Sequence, residues 1–193
     1  MSTPEADPLI EIVTASQTVY RGGYLDLTVH EVRLPDGRIS TRELVGHPGA
    51  VAIVALDDED EVLLVRQFRL AAGRVLLEIP AGTLDRHPGT GRIEDPDAAA
   101  PRELEEETGY RAATWQRLAS FWTAPGFATE LMHLYLATGL TRADADRRLA
   151  DDDEHLELVR MPLADAVGLV ETGEIADAKS IAGLLWLARV RGA

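Results

Sequence analysis

The sequence contains no cysteine, which excludes disulfide scaffolds, thiolate zinc sites and cysteine nucleophiles. Aromatic residues make up only 5% of it, so a core must come mainly from aliphatic side chains, for which a hydrophobic fraction of 46% suffices. Positive charge is also scarce: 19 lysines and arginines stand against 33 aspartates and glutamates, a net −14. That sign excludes an obvious electrostatic fit to nucleic acid or to an anionic membrane. No apolar run approaches the roughly 20 residues that cross a bilayer. The opening Met1-Ser2-Thr3-Pro4-Glu5-Ala6-Asp7 has neither the basic start nor the apolar run of a secretory signal, so the cytoplasm is the expected compartment. What is abundant is carboxylate, and its placement carries the rest of the reading.

At 193 residues the chain suits one domain with a small annex. The β-favouring runs Ile10 to Thr14, Gln17 to Tyr20, Tyr24 to Val32 and Ser40 to Val45 are broken by Gly22-Gly23 and Pro35-Asp36-Gly37. They predict a small antiparallel sheet over residues 1–45, with the main domain at 46–193. Ala50 to Leu56 is apolar throughout and suits a buried strand; Asp57 to Glu61 is a charged turn, and Val62 to Phe68 the returning strand. Val75 to Ile79 is a further strand ending in the turn Pro80-Ala81-Gly82. Ala98 to Thr108 reads as a helix closed by Gly109. Strands follow at Trp115 to Phe121, Leu131 to Ala137 and Leu156 to Met161, with an acidic loop at Asp144 to Glu154 and helices over Pro162 to Thr172 and Ala176 to Val190. The order predicts an α/β fold with a mixed sheet between helical layers. Trp115, Trp122 and Trp186 read as packing residues.

The most informative stretch is Arg102-Glu103-Leu104-Glu105-Glu106-Glu107-Thr108-Gly109-Tyr110. With about 100° of rotation per residue, Glu103, Glu106 and Glu107 share one helix face, while Glu105 points the other way and Leu104 sits at the edge. Like charges at these spacings repel by a few tenths of a kcal/mol per pair unless a cation lies among them. Hard carboxylate oxygens suit magnesium or manganese; a solvated acidic face is the alternative.

Glu94, followed after seven residues by Arg102-Glu103 and the rest of that stretch, resembles the signature of the Nudix hydrolases. Gly82 matches the signature's opening glycine, but eleven residues separate it from Glu94 where the signature has five, a six-residue insertion in the loop around Arg86 to Gly91. Lengthening a surface loop costs little, about 0.6 kcal/mol per doubling. Pro101 also departs from a regular helix, so the helix is expected to start near Ala98 or to kink. Similarity to the ADP-ribose pyrophosphatase branch extends from about Val19 to Leu187. It takes in Leu34-Pro35-Asp36-Gly37, Arg42-Glu43, His47-Pro48-Gly49, Val65-Arg66-Gln67-Phe68-Arg69, Glu78-Ile79-Pro80-Ala81-Gly82 and the loop Ala124-Pro125-Gly126-Phe127-Ala128-Thr129-Glu130.

The resemblance implies a Nudix α/β/α sandwich with its N-terminal β annex as a dimerisation element. It also implies magnesium-dependent hydrolysis of ADP-ribose to AMP and ribose 5-phosphate, manganese being the other suitable metal. Glu103, Glu107 and the Ala81 carbonyl are the implied metal ligands, joined by Glu106 and Glu154, with Arg102 orienting the glutamates. Asp152, in the loop Asp151 to Glu154, takes the position of the general base. Arg42, Glu43, Arg66, Arg69 and Gly126 fall to substrate binding. Tyr24 stacks on adenine or packs in the core or an interface, Arg66 binds phosphate or closes a strand-edge salt bridge, and Glu130 binds ribose or caps a turn. The implied partners are a small nucleotide sugar and a second copy of the chain, with no nucleic acid and no membrane. Other substrates, namely another ADP-sugar, a dinucleotide cofactor or an oxidised nucleotide, and a non-catalytic ADP-ribose-binding module, are the competing readings.

Overall fold

A computed structural model of the chain describes residues 7–143 and 155–192. Within it the chain divides into two units, Met1–Pro48 with Ala124–Glu130, and Gly49–Thr123 with Leu131–Ala193.

The first unit is an antiparallel sheet of β1 (Ile12–Arg21), β2 (Asp26–Arg33) and β3 (Ile39–Gly46), in that order. The two runs read at Ile10 to Thr14 and Gln17 to Tyr20 are one strand, because the register shifts between Val13 and Ala15 and between Thr18 and Tyr20 absorb the break in alternation without ending the pairing with β2. Residues 124–130 join this unit across sequence: Val45 donates its N–H to the Phe127 carbonyl at 2.7 Å, and Thr129 donates to Val45 at 3.0 Å.

The second unit contains a seven-stranded mixed sheet. Its main path is β10 (Glu157–Pro162), β5 (Glu61–Arg69), β4 (Ala50–Leu56), β9 (Leu131–Arg142) and β8 (Tyr110–Trp122), with β6 (Arg74–Glu78) paired to β5 and β7 (Ala81–Thr83) paired to β4. β4 runs parallel to β9 and antiparallel to β5. All of β4 is buried, as an apolar run without alternation requires, and its residues divide between two cores. Val51, Ile53 and Ala55 pack with Ala99, Ala100 and Leu104 of α1 (Pro96–Thr108). Ala52, Val54 and Leu56 pack on the other face with Leu163 and Ala166 of α2 (Leu163–Thr172) and Leu184 and Leu187 of α3 (Ala178–Arg191). The sheet thus lies between helical layers, the expected α/β/α sandwich. Gly183 admits α3 this closely, since a Cβ there would lie 2.8 Å from Val54.

Three local readings change. Helix α1 begins at Pro96, where Asp95 accepts from the Asp97 N–H and proline fills the first turn, whose N–H groups have no helical partner. It continues through Pro101. The supposed turn at Ala81 and Gly82 is strand β7, held by pairing with Ala52 and Val51. Trp122 and Trp186 are 54% and 45% exposed and do not fill the core; Trp115 alone of the three packs partly against it. The acidic loop Asp144 to Glu154, including Asp152 and Glu154, lies outside the described residues.

Candidate active site

The carboxylates of α1 are ordered by one guanidinium. Arg102 donates through Nε and Nη2 to Glu94 at 3.1 and 2.7 Å, while Nη1 reaches Glu106 at 2.8 Å and pairs with Glu103 at 2.8 Å. Burial alone would favour the uncharged side chain, but Glu94, Glu103 and Glu106 hold the Arg102 guanidinium charged well beyond its ordinary range. Arg102 therefore converts a mutually repelling face into a fixed array. Glu105 faces away from that array, yet it too is buried and pairs with Arg111 at 2.7 Å.

Strand β7 closes the array from the other side. The Ala81 N–H donates to Glu107 Oε2 at 2.9 Å. The Glu103 carboxylate lies over Gly82, where a Cβ would fall 1.9 Å from its Cδ. The carboxylate rests this close because residue 82 carries no side chain. Glu103 and Glu107 are each only 8% exposed, so two hard oxygen donors from α1 converge on the backbone of β7. This donor set fits an oxygen-preferring divalent cation. Glu103, Glu107 and the Ala81 carbonyl are the groups that would hold it, with Glu106 beside them.

Behind β7 lies a second charged group that the sequence reading did not find. Glu78, at the end of β6, is almost fully buried and accepts from Arg69 Nη2 and from Lys179 Nζ, both at 2.7 Å. Burial pushes the Glu78 carboxyl up, but the two cations overrule it and hold it below its ordinary range. Its one legible signal is a lone carboxylate inside the apolar run Val75 to Ile79. Arg69, read as a substrate ligand, is thereby anchored from behind, while 40% of its side chain remains exposed.

Comparison with known proteins joins this geometry to a family. A model described as NUDIX domain matches residues 46–184, and one described as nucleoside diphosphate sugar hydrolase N-terminal domain matches 11–45. This chain belongs to the Nudix hydrolase family. It is 42% identical over 179 residues to a protein of Bacillus subtilis (strain 168) named ADP-ribose pyrophosphatase, covering 93% of each chain. It is 44% identical over 174 residues to a Mycobacterium tuberculosis (strain ATCC 25618 / H37Rv) protein of the same name, covering 89% of this chain and 80% of that one. A crystal structure described as an ADP compounds hydrolase superposes with a TM-score of 0.78 at 25% identity, covering 94% of this chain and 95% of the other. Nudix enzymes use divalent metals, in keeping with the donor set on α1 and β7.

The Nudix hydrolase distributes its other expected site residues over both units. In the second, Arg66 closes the strand-edge pair with Glu157 at 2.5 Å. In the first, Tyr24 is 61% exposed and meets His47 edge to face at 6.1 Å. His47 pairs with Glu130 at 3.6 Å, and burial lowers the pKa of its imidazole despite that carboxylate. Arg42 is committed to Glu11 and to the Thr41 carbonyl. Glu43 sits opposite Val29 on β3, and Gly126 is exposed with open space around it. A separate acidic group at the β4–β5 turn, Asp57, Glu59 and Glu61, places carboxylate oxygens within 4.8 Å of one another. Arg160 pairs with all three, which accounts for their proximity without a metal.

Proposed function

We propose that this Nudix hydrolase cleaves the diphosphate of ADP-ribose, releasing AMP and ribose 5-phosphate. The observation that carries the reading is the convergence of Glu103 and Glu107 on Ala81 and Gly82. The names of the two bacterial relatives support the choice of substrate.

Magnesium bound there would neutralise phosphate charge and make its coordinated water acidic. Glu103, Glu107 and the Ala81 carbonyl would hold the ion with Glu106 assisting, and Arg102 fixes the glutamates. Asp152 is assigned to take the proton from the attacking water as a phosphorus–oxygen bond breaks and its oxygen leaves on the other phosphate, and Glu154 is assigned as a further metal ligand. Arg66 and Arg69 supply positive charge to the diphosphate. Tyr24, Arg42, Glu43, Gly126 and Glu130 are assigned to the rest of the substrate. The reading includes a cytoplasmic location and a homodimer formed through the annex at residues 1–45, whose strand β1 is exposed along its whole length.

The test is a panel of ADP-ribose, other ADP-sugars, dinucleotide cofactors and oxidised nucleotides, assayed with and without magnesium. AMP and ribose 5-phosphate should form from ADP-ribose with magnesium and stop on adding a chelator. Rapid turnover of another member with none of ADP-ribose would overturn the substrate. Stabilisation by ADP-ribose without turnover in any divalent metal would make the protein a binding module.

A further inference from the structure

Around Glu78 two carboxylates and two cations meet, and their connections are unequal. The Glu78 side chain is 2% exposed, and its oxygens accept from Nε and Nη2 of Arg69 and from Lys179 Nζ. Arg69 Nη1 donates to no described residue. Asp177, capping α3, accepts through Oδ1 from Lys179 Nζ at 2.9 Å and from the Ser180 N–H at 3.1 Å. Its Oδ2 is buried and accepts nothing from any described residue. Lys179 Nζ thus links Asp177 Oδ1 to the Glu78 oxygen that Arg69 Nη2 also binds, and the charges of Glu107 and Asp177 both act on Arg69.

We propose that Lys179 is a positioning residue for Arg69: it occupies Asp177 and the shared oxygen of Glu78, so that the guanidinium stays on Glu78 and keeps its Nη1 edge for a substrate phosphate. The inference rests on the reading of Arg69 as a phosphate ligand given above. Without the ammonium, Asp177 becomes a partly buried carboxylate with no hydrogen-bonded cation and a buried open acceptor. A carboxylate left unpaired with a buried oxygen is costly, and Arg69, bound to the same Glu78 oxygen as the departed ammonium, is the cation placed to answer it. A guanidinium drawn toward Asp177 turns its free edge away from phosphate. Removing the charge of Asp177 as well removes the pull, and asparagine preserves the helix cap.

The experiment compares wild type, Lys179→Met, Lys179→Arg and the double variant Lys179→Met with Asp177→Asn, as full chains with magnesium and ADP-ribose. Loss of a charge-assisted hydrogen bond to phosphate should raise KM about tenfold in Lys179→Met, with kcat within about twofold. KM should return to within about threefold of wild type in the double variant and stay near wild type in Lys179→Arg. The 15N–1H signal of Arg69 Nε, recorded without substrate, should move in Lys179→Met and return in the double variant. A purely structural role would lower the melting temperature and leave KM and this signal in place, overturning the proposal; so would a double variant that restores neither. If Lys179→Met fails to fold, Lys179→Gln takes its place in every measurement. Wild type that does not hydrolyse ADP-ribose overturns the substrate reading, while the Arg69 signal still decides the role of Lys179.

Discussion

A single methyl group would show how closely the sheet approaches the carboxylates of α1. In Gly82→Ala the new Cβ would lie 1.9 to 2.3 Å from the Glu103 carboxylate atoms, which can swing aside because they end a flexible side chain. The expected outcome is a near-normal melting temperature with about a tenfold rise in the magnesium concentration for half-maximal activity. Glu107→Gln keeps an oxygen for the Ala81 N–H but loses the charge that holds the cation. Its kcat should fall by about two orders of magnitude or more, with an unchanged circular dichroism spectrum. Glu78→Gln leaves Arg69 facing a neutral amide while Lys179 keeps Asp177, and should destabilise the fold by about 1–3 kcal/mol at pH 7, read from urea melts. The sign with pH follows from a folded-state pKa held below the ordinary value of about 4.3. The stabilisation from Glu78 is fully present above that value and is lost as pH falls through the folded value. The gap between wild type and Glu78→Gln should therefore narrow below about pH 4. The glutamates of α1 were legible because helical spacing is a local property. The partners of Glu78 were not, because Lys179 stands 101 residues away.

At the scale of elements, α1 tolerates an internal proline that its sequence neighbours advise against. Pro101 cannot donate to the Asp97 carbonyl, yet the helix persists because Ala99, Ala100 and Leu104 are fully buried against β4. Packing outweighs the missing bond. Pro101→Ala restores the donor and removes the ring clash, so thermal melts should show stabilisation of about 1–3 kcal/mol. A melting temperature at or below wild type would mean that the proline ring itself packs favourably. Strand β7 shows the opposite limit of sequence reading. Three residues, one of them glycine, carry no strand signal of their own, and Ala81 to Thr83 is extended because β4 offers it a register from Ala50 to Ala52. The Ala81 carbonyl was thus named as a ligand by resemblance, and its strand character came from pairing alone.

The whole molecule presents one long surface that no described residue covers. In β1, Ile12, Val13, Val19 and Tyr20 are between 52% and 61% exposed, on a sheet too small to hold a core of its own. In the dimer proposed above these side chains are buried by the second copy. Light scattering should give twice the 21.0 kDa mass of the chain for wild type, and Val13→Lys combined with Val19→Lys should give the single mass. A monomer in wild type would remove the annex as the dimerisation element. The sequence by itself determined the strands that form the sheet's centre and the carboxylates that share a helix face, because both follow from patterns repeating within a few residues. Only the tertiary structure decided which charges are buried together. Glu78 owes its pairing with Lys179 to solvent exclusion by elements that meet after folding, and no local pattern encodes that exclusion.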